Sequence, residues 1–228
     1  MRELGREERG ETVRFPVNEV TLEGNLVIPA GAQGIVLFAH GSGSSRHSPR
    51  NRHVAAVLSG AGMATLLFDL LTPDEEAEDL VTGHLRFDIP LLAERVAGAT
   101  EWVRRDARTR GLRIGYFGAS AGAAAALVAA AERDDIAVIV SRGGRPDLAG
   151  EALPWVKAPT LLIVGGRDTY VIELNQTAMR QMRALTELKI IPGASHLFEE
   201  RGALEQVAAA AAEWFGRYLG EEVVREAA

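Results

Sequence analysis

Five short stretches of this chain carry almost no polar side chains: Ile35–Ala39, Ala64–Phe68, Ile114–Phe117, Ile136–Val140 and Leu161–Val164, with Leu188–Ile191 a weaker sixth. A strand that alternates apolar and polar residues buries one face; one that is apolar throughout has to be covered on both. The segments between these stretches supply the covers. Val54, Val57, Leu58 and Ala61 fall at helical spacing, as do Leu92, Val96, Ala99 and Val103. Leu174, Ala178, Met182 and Leu185 form a third such face, and Leu204, Val207, Ala208, Ala211, Phe215 and Tyr218 a fourth. Ser120 to Arg133 reads as an alanine-rich helix whose small side chains allow close approach to a sheet. Strands alternating with helices imply right-handed crossovers and a mainly parallel sheet. Before them, Val13, Phe15 and Val17 alternate with polar neighbours, and Val20, Leu22, Leu26 and Ile28 repeat the pattern around Glu23-Gly24, read as a turn. The expected fold is α/β: a three-layer α/β/α sandwich, mostly parallel, with antiparallel N-terminal strands. It is expected to be a single domain over residues 1–228 with its core at about 12–219.

Composition narrows the function classes. The chain has 228 residues, 47% of them hydrophobic, which is ample for one packed core. With no cysteine, it has no disulfide framework, thiolate nucleophile or cysteine-bearing metal site. The net charge of −6 argues against nucleic acid as a partner. Met1 to Gly10 is mostly polar and charged, unlike a secretory signal, and Ala119–Ala131 is too short to span a bilayer. These features lead to the expectation of a cytoplasmic protein with no membrane partner. No two histidines have metal-ligand spacing with an acid between them, so no metal site is expected. Thr72-Pro73-Asp74-Glu75 has the form of a capping box opening a short helix, either solvated or capping a pocket.

The chemistry-bearing residues lie just past the apolar stretches. Gly118-Ala119-Ser120-Ala121-Gly122 joins a strand to the alanine-rich helix, a context that exposes a serine hydroxyl on a sharp turn beside a helix N-terminus. A serine hydroxyl is a weak nucleophile until a base takes its proton, and the base needs an orienting acid. Gly165-Gly166-Arg167-Asp168 follows one strand and Gly193-Ala194-Ser195-His196 another, both at the edge of a parallel sheet where sites form. Asp147 is a second candidate for the acid. His40-Gly41-Ser42-Gly43 follows the first buried strand, where a glycine-bearing loop can aim an N–H at a substrate oxygen. The N–H groups of Ala121 and Ser42 are the expected oxyanion donors.

With these motifs in hand, the chain resembles an α/β-hydrolase, and most closely the dienelactone hydrolase-like branch. The resemblance rests on His40-Gly41-Ser42-Gly43, Gly118-Ala119-Ser120-Ala121-Gly122, Asp168 and His196, and runs from about Thr12 to Leu219. It implies an eight-stranded sheet with only the second strand antiparallel. It also implies ester hydrolysis through an acyl-enzyme: Ser120 as nucleophile, His196 as base, Asp168 as orienting acid, and no cofactor. Dienelactone hydrolase itself uses a cysteine nucleophile. The serine here makes dienelactone doubtful as a substrate, but not esters.

Arginines gather in the loops after strands. Arg46 and Arg50 follow the first buried strand, and Arg142 and Arg145 follow the strand ending near Val140. They either balance surface acids or bind an anionic group on a small-molecule ester substrate. The same constellation could serve an acyltransferase or a peptidase, or a fold of this kind could act as a non-catalytic or engineered binder. The sequence does not fix oligomeric state.

Overall fold

The computed structural model describes residues 10–220. In chain order the elements are β1 (Glu11–Val17), β2 (Val20–Val27), β3 (Gly34–Ala39), α1 (Pro49–Gly60), β4 (Ala64–Phe68), α2 (Pro73–Thr82), α3 (Ile89–Arg105), β5 (Arg113–Ala119), α4 (Ala121–Ala131), β6 (Ile136–Arg142), β7 (Thr160–Gly165), α5 (Thr169–Met179), β8 (Thr186–Ile191) and α6 (Ala203–Leu219). Two 3₁₀ segments, Leu85–Phe87 and Pro146–Trp155, lie between α2 and α3 and between β6 and β7.

The strands form one eight-stranded sheet in the order β1-β2-β4-β3-β5-β6-β7-β8. β2 runs antiparallel to both its neighbours, and every pairing from β4 to β8 is parallel. Alternate residues of the central strands feed two apolar layers, as side-chain alternation requires. Ile35, Leu37, Ile114 and Tyr116 pack under α3 and α4. Val36, Phe38, Phe117 and Val140 pack under α1 and α6. This is the three-layer α/β/α arrangement that the uninterrupted apolar stretches demand.

The turn expected at Glu23-Gly24 does not exist. β2 passes straight through it, and the hairpin turns at Asn18-Glu19, where Val17 pairs with Val20 and Asn18 takes φ 50°. Asparagine tolerates this left-handed conformation better than most residues. Gly24 is there for proximity, since a Cβ would sit 2.9 Å from Leu66 Cδ1 and 3.2 Å from the Leu67 carbonyl oxygen. α5 also ends earlier than its spacing suggests. It stops at Met179, buries Val171, Asn175 and Ala178, and leaves Leu185 exposed beyond it. Val57, assigned to the buried face of α1, is partly exposed instead.

The capping box is present: Thr72 Oγ1 accepts from the Glu75 N–H, and Glu75 Oε2 accepts from the Thr72 N–H at 2.7 Å. Glu75 Oε1 also takes a 2.8 Å bond from buried Arg95, which ties α2 to α3. Among the described residues, no helix is long and apolar enough to cross a membrane.

Candidate active site

The parallel sheet brings the ends of β3, β5, β7 and β8 to one edge, and each chemistry-bearing loop follows one of these strands. β5 ends at Ala119 and α4 starts at Ala121, leaving Ser120 alone to reverse the chain. It does so at φ 49° and ψ −125°, a region that a residue with a side chain adopts only when its surroundings force it. The two flanking glycines make the turn possible. A Cβ on Gly118 would overlap the Ala123 backbone, and one on Gly122 would overlap the carbonyl oxygens of Ala39 and His40. The Ser120 N–H reaches the Arg142 carbonyl at 3.4 Å, and the Ser120 carbonyl accepts from the N–H groups of Ala123 and Arg145.

His196, in the loop after β8, places Nδ1 2.6 Å from Asp168 Oδ2. Asp168 is the N-cap residue of α5 and is mostly covered, with 16% of its side chain exposed against 40% for His196. An acceptor on Nδ1 leaves the proton there and Nε2 free to take another. The imidazole lies beside Gly143, where a Cβ would be 3.6 Å from His196 Cε1 and 3.1 Å from its carbonyl oxygen. Gly143 directly follows Arg142, the residue whose carbonyl receives the Ser120 N–H. The acid–base pair and the serine turn are therefore neighbours across β6. The Ser120 hydroxyl makes no hydrogen bond to a described residue. Asp147 faces elsewhere, accepting from Arg145 Nε at 2.9 Å and Nη2 at 2.7 Å.

The loop after β3 touches the serine turn directly: a Cβ on Gly41 would lie 3.1 Å from Ser120 Cβ. The loop folds back through a Ser44 N–H bond to the Gly41 carbonyl, with Gly43 at φ 65°. Neither the Ala121 N–H nor the Ser42 N–H donates to a described residue. His40 holds the base of this loop, a role the sequence did not reveal. Its Nε2 accepts from the Leu70 N–H at 3.0 Å, so Nδ1 carries the proton and donates to the Gly41 carbonyl at 2.9 Å. Burial depresses its pKa below the ordinary histidine value, only partly offset by the Gly41 carbonyl. His40 is thus a neutral strut.

Nothing local in the sequence marks Glu200, and only the fold reveals it. Its Oε2 accepts from the Ser195 N–H at 2.9 Å, and Oε1 lies 3.7 Å from Arg167 Nη1, linking residues adjacent to His196 and Asp168. The Ser195 N–H is the main reason that its carboxyl titrates below the usual range. A cleft opens beside the β3 loop, bounded by Leu71, Leu80 and Arg86. The capped helix α2 forms one wall of it, and buried Asp79 grips Arg86 at 2.6 Å to hold the following turn. Trp155 is exposed, with the Arg183 guanidinium over its ring at 5.6 Å.

The four arginines separate into two kinds. Arg46 is neutralised by Asp69 and by Glu23 at 2.7 Å, and Arg145 by Asp147. Their charges are committed inside the protein, which leaves them poorly placed to hold a substrate anion. Among the described residues Arg50 meets one carboxylate, that of exposed Glu199, at 3.6 Å. Arg142 has no carboxylate partner among the described residues; its one side-chain hydrogen bond goes to Asn51 Oδ1 at 3.3 Å. No group of three or more potential metal ligands occurs among the described residues.

Comparison with known proteins agrees with this arrangement at the level of family. The crystal structure of a dienelactone hydrolase from Anabaena variabilis is 63% identical, with a TM-score of 0.91 over 92% of this chain and 98% of that one. Est1E from Butyrivibrio proteoclasticus, 18% identical, shares the fold, with a TM-score of 0.75 over 91% of this chain and 98% of its own. Proteins from two Mycobacterium tuberculosis strains, named "Putative phosphoribosyl transferase", are 57% identical over 212 residues. That match takes in 92% of this chain but 47% of theirs, so the chain spans about half the length of these curated relatives. Residues 22–219 match the dienelactone hydrolase family, and the chain belongs to that family of α/β-hydrolases.

Proposed function

We propose that the protein hydrolyses a carboxylic ester, with Ser120 as nucleophile, His196 as general base and Asp168 as the residue that orients the imidazole. The observation that carries this reading is the 2.6 Å contact between His196 Nδ1 and Asp168, at the same sheet edge as a serine held at φ 49°. Ser120 Oγ attacks the carbonyl carbon while His196 Nε2 takes its proton. The carbonyl oxygen becomes an oxyanion that receives the Ala121 N–H and the Ser42 N–H. His196 then protonates the departing alcohol, leaving an acyl-enzyme, and a water activated by the same imidazole releases the acid. The hydrogen bond between hydroxyl and imidazole is one that tightens in the substrate complex.

The transferase name attaches to proteins about twice as long as this chain, and the half they share with it is the hydrolase-family half. We therefore read hydrolysis as the chemistry of these residues. Mass spectrometry after reaction with a fluorophosphonate tests this reading. A single adduct on Ser120, abolished in His196→Ala, is expected. A folded protein that takes no label, or takes it on another serine, overturns the assignment.

A further inference from the structure

Arg142 is a cation held where a cation is hard to keep. It closes β6, is 7% exposed, and its Nε is enclosed without a hydrogen-bond partner among the described residues. Beside it, Arg50 at the start of α1 also has an enclosed Nε with no partner. Asn51, the next residue of α1, is 2% exposed and gives Arg142 its only side-chain hydrogen bond among the described residues, through a neutral amide oxygen. The nearby acid, Glu199, is 67% exposed and approaches Arg50 Nη1 rather than Arg142. Burial, and then the proximity of Arg50, bring the Arg142 pKa down to about 10, so the group stays protonated at neutral pH at an energetic disadvantage. A buried ion without a counter-charge is destabilising, and an apolar side chain of similar volume would usually serve the fold as well or better. A bound anion would remove that disadvantage.

We propose that Arg142 and Arg50 form an anion subsite for a substrate whose acyl or alcohol part carries a carboxylate or phosphate, the oxyanion being gripped by the planar guanidinium of Arg142. Three observations place the backbone that carries this side chain next to the candidate chemistry. The Arg142 carbonyl receives the Ser120 N–H. Arg142 pairs with Ala119, the residue before the serine. Gly143, the residue after Arg142, lies beside His196, where an added Cβ would be 3.6 Å from the imidazole Cε1. A guanidinium suits both anions, because its N–H groups pair with two oxygens at once. Arg46 and Arg145, already neutralised, take no part.

The subsite deepens the ester-hydrolase reading and rests on it for its place in catalysis, but binding can be read without turnover. The kinetic arm compares p-nitrophenyl hydrogen glutarate with p-nitrophenyl pentanoate, an anionic and a neutral ester of equal acyl length. The binding arm measures the thermal midpoint with added glutarate and, separately, inorganic phosphate. The wild type is expected to favour the anionic ester at least tenfold in kcat/KM. That preference ratio should fall at least tenfold in Arg142→Met and by a smaller factor in Arg50→Met. Glutarate, phosphate or both should raise the midpoint of the wild type and not that of Arg142→Met, and the one that does so identifies the preferred anion. Equal kcat/KM for the two esters with no midpoint shift from either anion overturns the subsite and leaves ester hydrolysis standing. A wild type that cleaves neither ester overturns the hydrolase reading, and the midpoint shifts alone then decide the subsite. If Arg142→Met does not fold, Arg50→Met decides by the same ratio and shifts.

Discussion

His40 and His196 stand at the same edge of the sheet, and what surrounds each ring separates their roles. His40 is 8% exposed and uses both ring nitrogens on the backbone of the Gly41 and Leu70 segments. His196 uses one nitrogen on Asp168 and keeps the other available. Sequence reading could pick out Ser120, Asp168 and His196, because each follows an apolar strand in a short glycine-bearing turn, and that signal is local. It could not distinguish Arg142 from Arg46, because the difference lies in what stands opposite each side chain in space: Asp69 and Glu23 in one case, a neutral amide in the other. The buried state of His40 has a consequence for stability. Its folded pKa lies below its unfolded value of 6.5, chiefly through burial. Stability from this group is therefore complete above about 6.5 and is lost as pH falls, because the unfolded chain binds a proton that the folded site resists. The slope cannot exceed about 1.4 kcal/mol per pH unit for one proton. Thermal melts of the wild type and His40→Gln between about pH 7.5 and 5 should show a steeper acid loss in the wild type. Parallel curves would mean that His40 does not resist protonation in the folded state.

Among the elements, the buried strands were legible and the boundaries of exposed ones were not. β3 to β7 announce themselves because both faces are covered, so almost no polar residue interrupts them. The sequence suggests a break in β2 at Glu23-Gly24 because a glycine after a polar residue looks like a turn, whereas this glycine admits the Leu66 side chain from β4. The spacing suggests a longer α5 because Met182 continues the four-residue repeat, yet Met182 is buried from a turn beyond the helix end. The same distinction between glycines of proximity and glycines of punctuation governs α1 and α4. Gly60 ends α1 with no atom within 4 Å of where a Cβ would stand. Gly122 in the first turn of α4 has no such room, since its Cβ would overlap the end of β3 at Ala39 and His40. Gly60→Ala should therefore raise stability by about 0.4–1 kcal/mol by restricting the unfolded chain. Gly122→Ala should lower it by about 1–3 kcal/mol through forced displacement of the β3 loop. It should also slow fluorophosphonate labelling of Ser120, because that loop carries Ser42. Denaturant melts of the two variants give the sign of each effect. A neutral Gly122→Ala would show that the β3 loop yields at no cost.

For the molecule as a whole, the two apolar layers are faces of the same strands, so neither can loosen alone. β3 sends Ile35 and Leu37 to the α3–α4 layer and Val36 and Phe38 to the α1–α6 layer. Melting either face unpairs the backbone on which the other depends, which argues for one cooperative unit despite the chain's length. The tryptophans provide a probe on each side. Trp102 stacks on Phe15 at 5.0 Å in the α3–α4 layer, and Trp214 is 3% exposed in the α1–α6 layer. Trp155 is 61% exposed and can be removed as Trp155→Phe. In that background, Trp102→Phe leaves a reporter for one layer and Trp214→Phe a reporter for the other. A lesion confined to one face then tests the coupling. Phe215 is fully buried against Gly115, so Phe215→Ala should cost about 3–5 kcal/mol. At about 2–4 °C per kcal/mol for a chain of this size, the thermal midpoint should fall by roughly 6–20 °C. The shift should be the same whether read from Trp102 or from Trp214, although only Trp214 lies on the damaged side. A midpoint that moves at Trp214 and stays fixed at Trp102 would show two independently melting layers and refute the single cooperative unit.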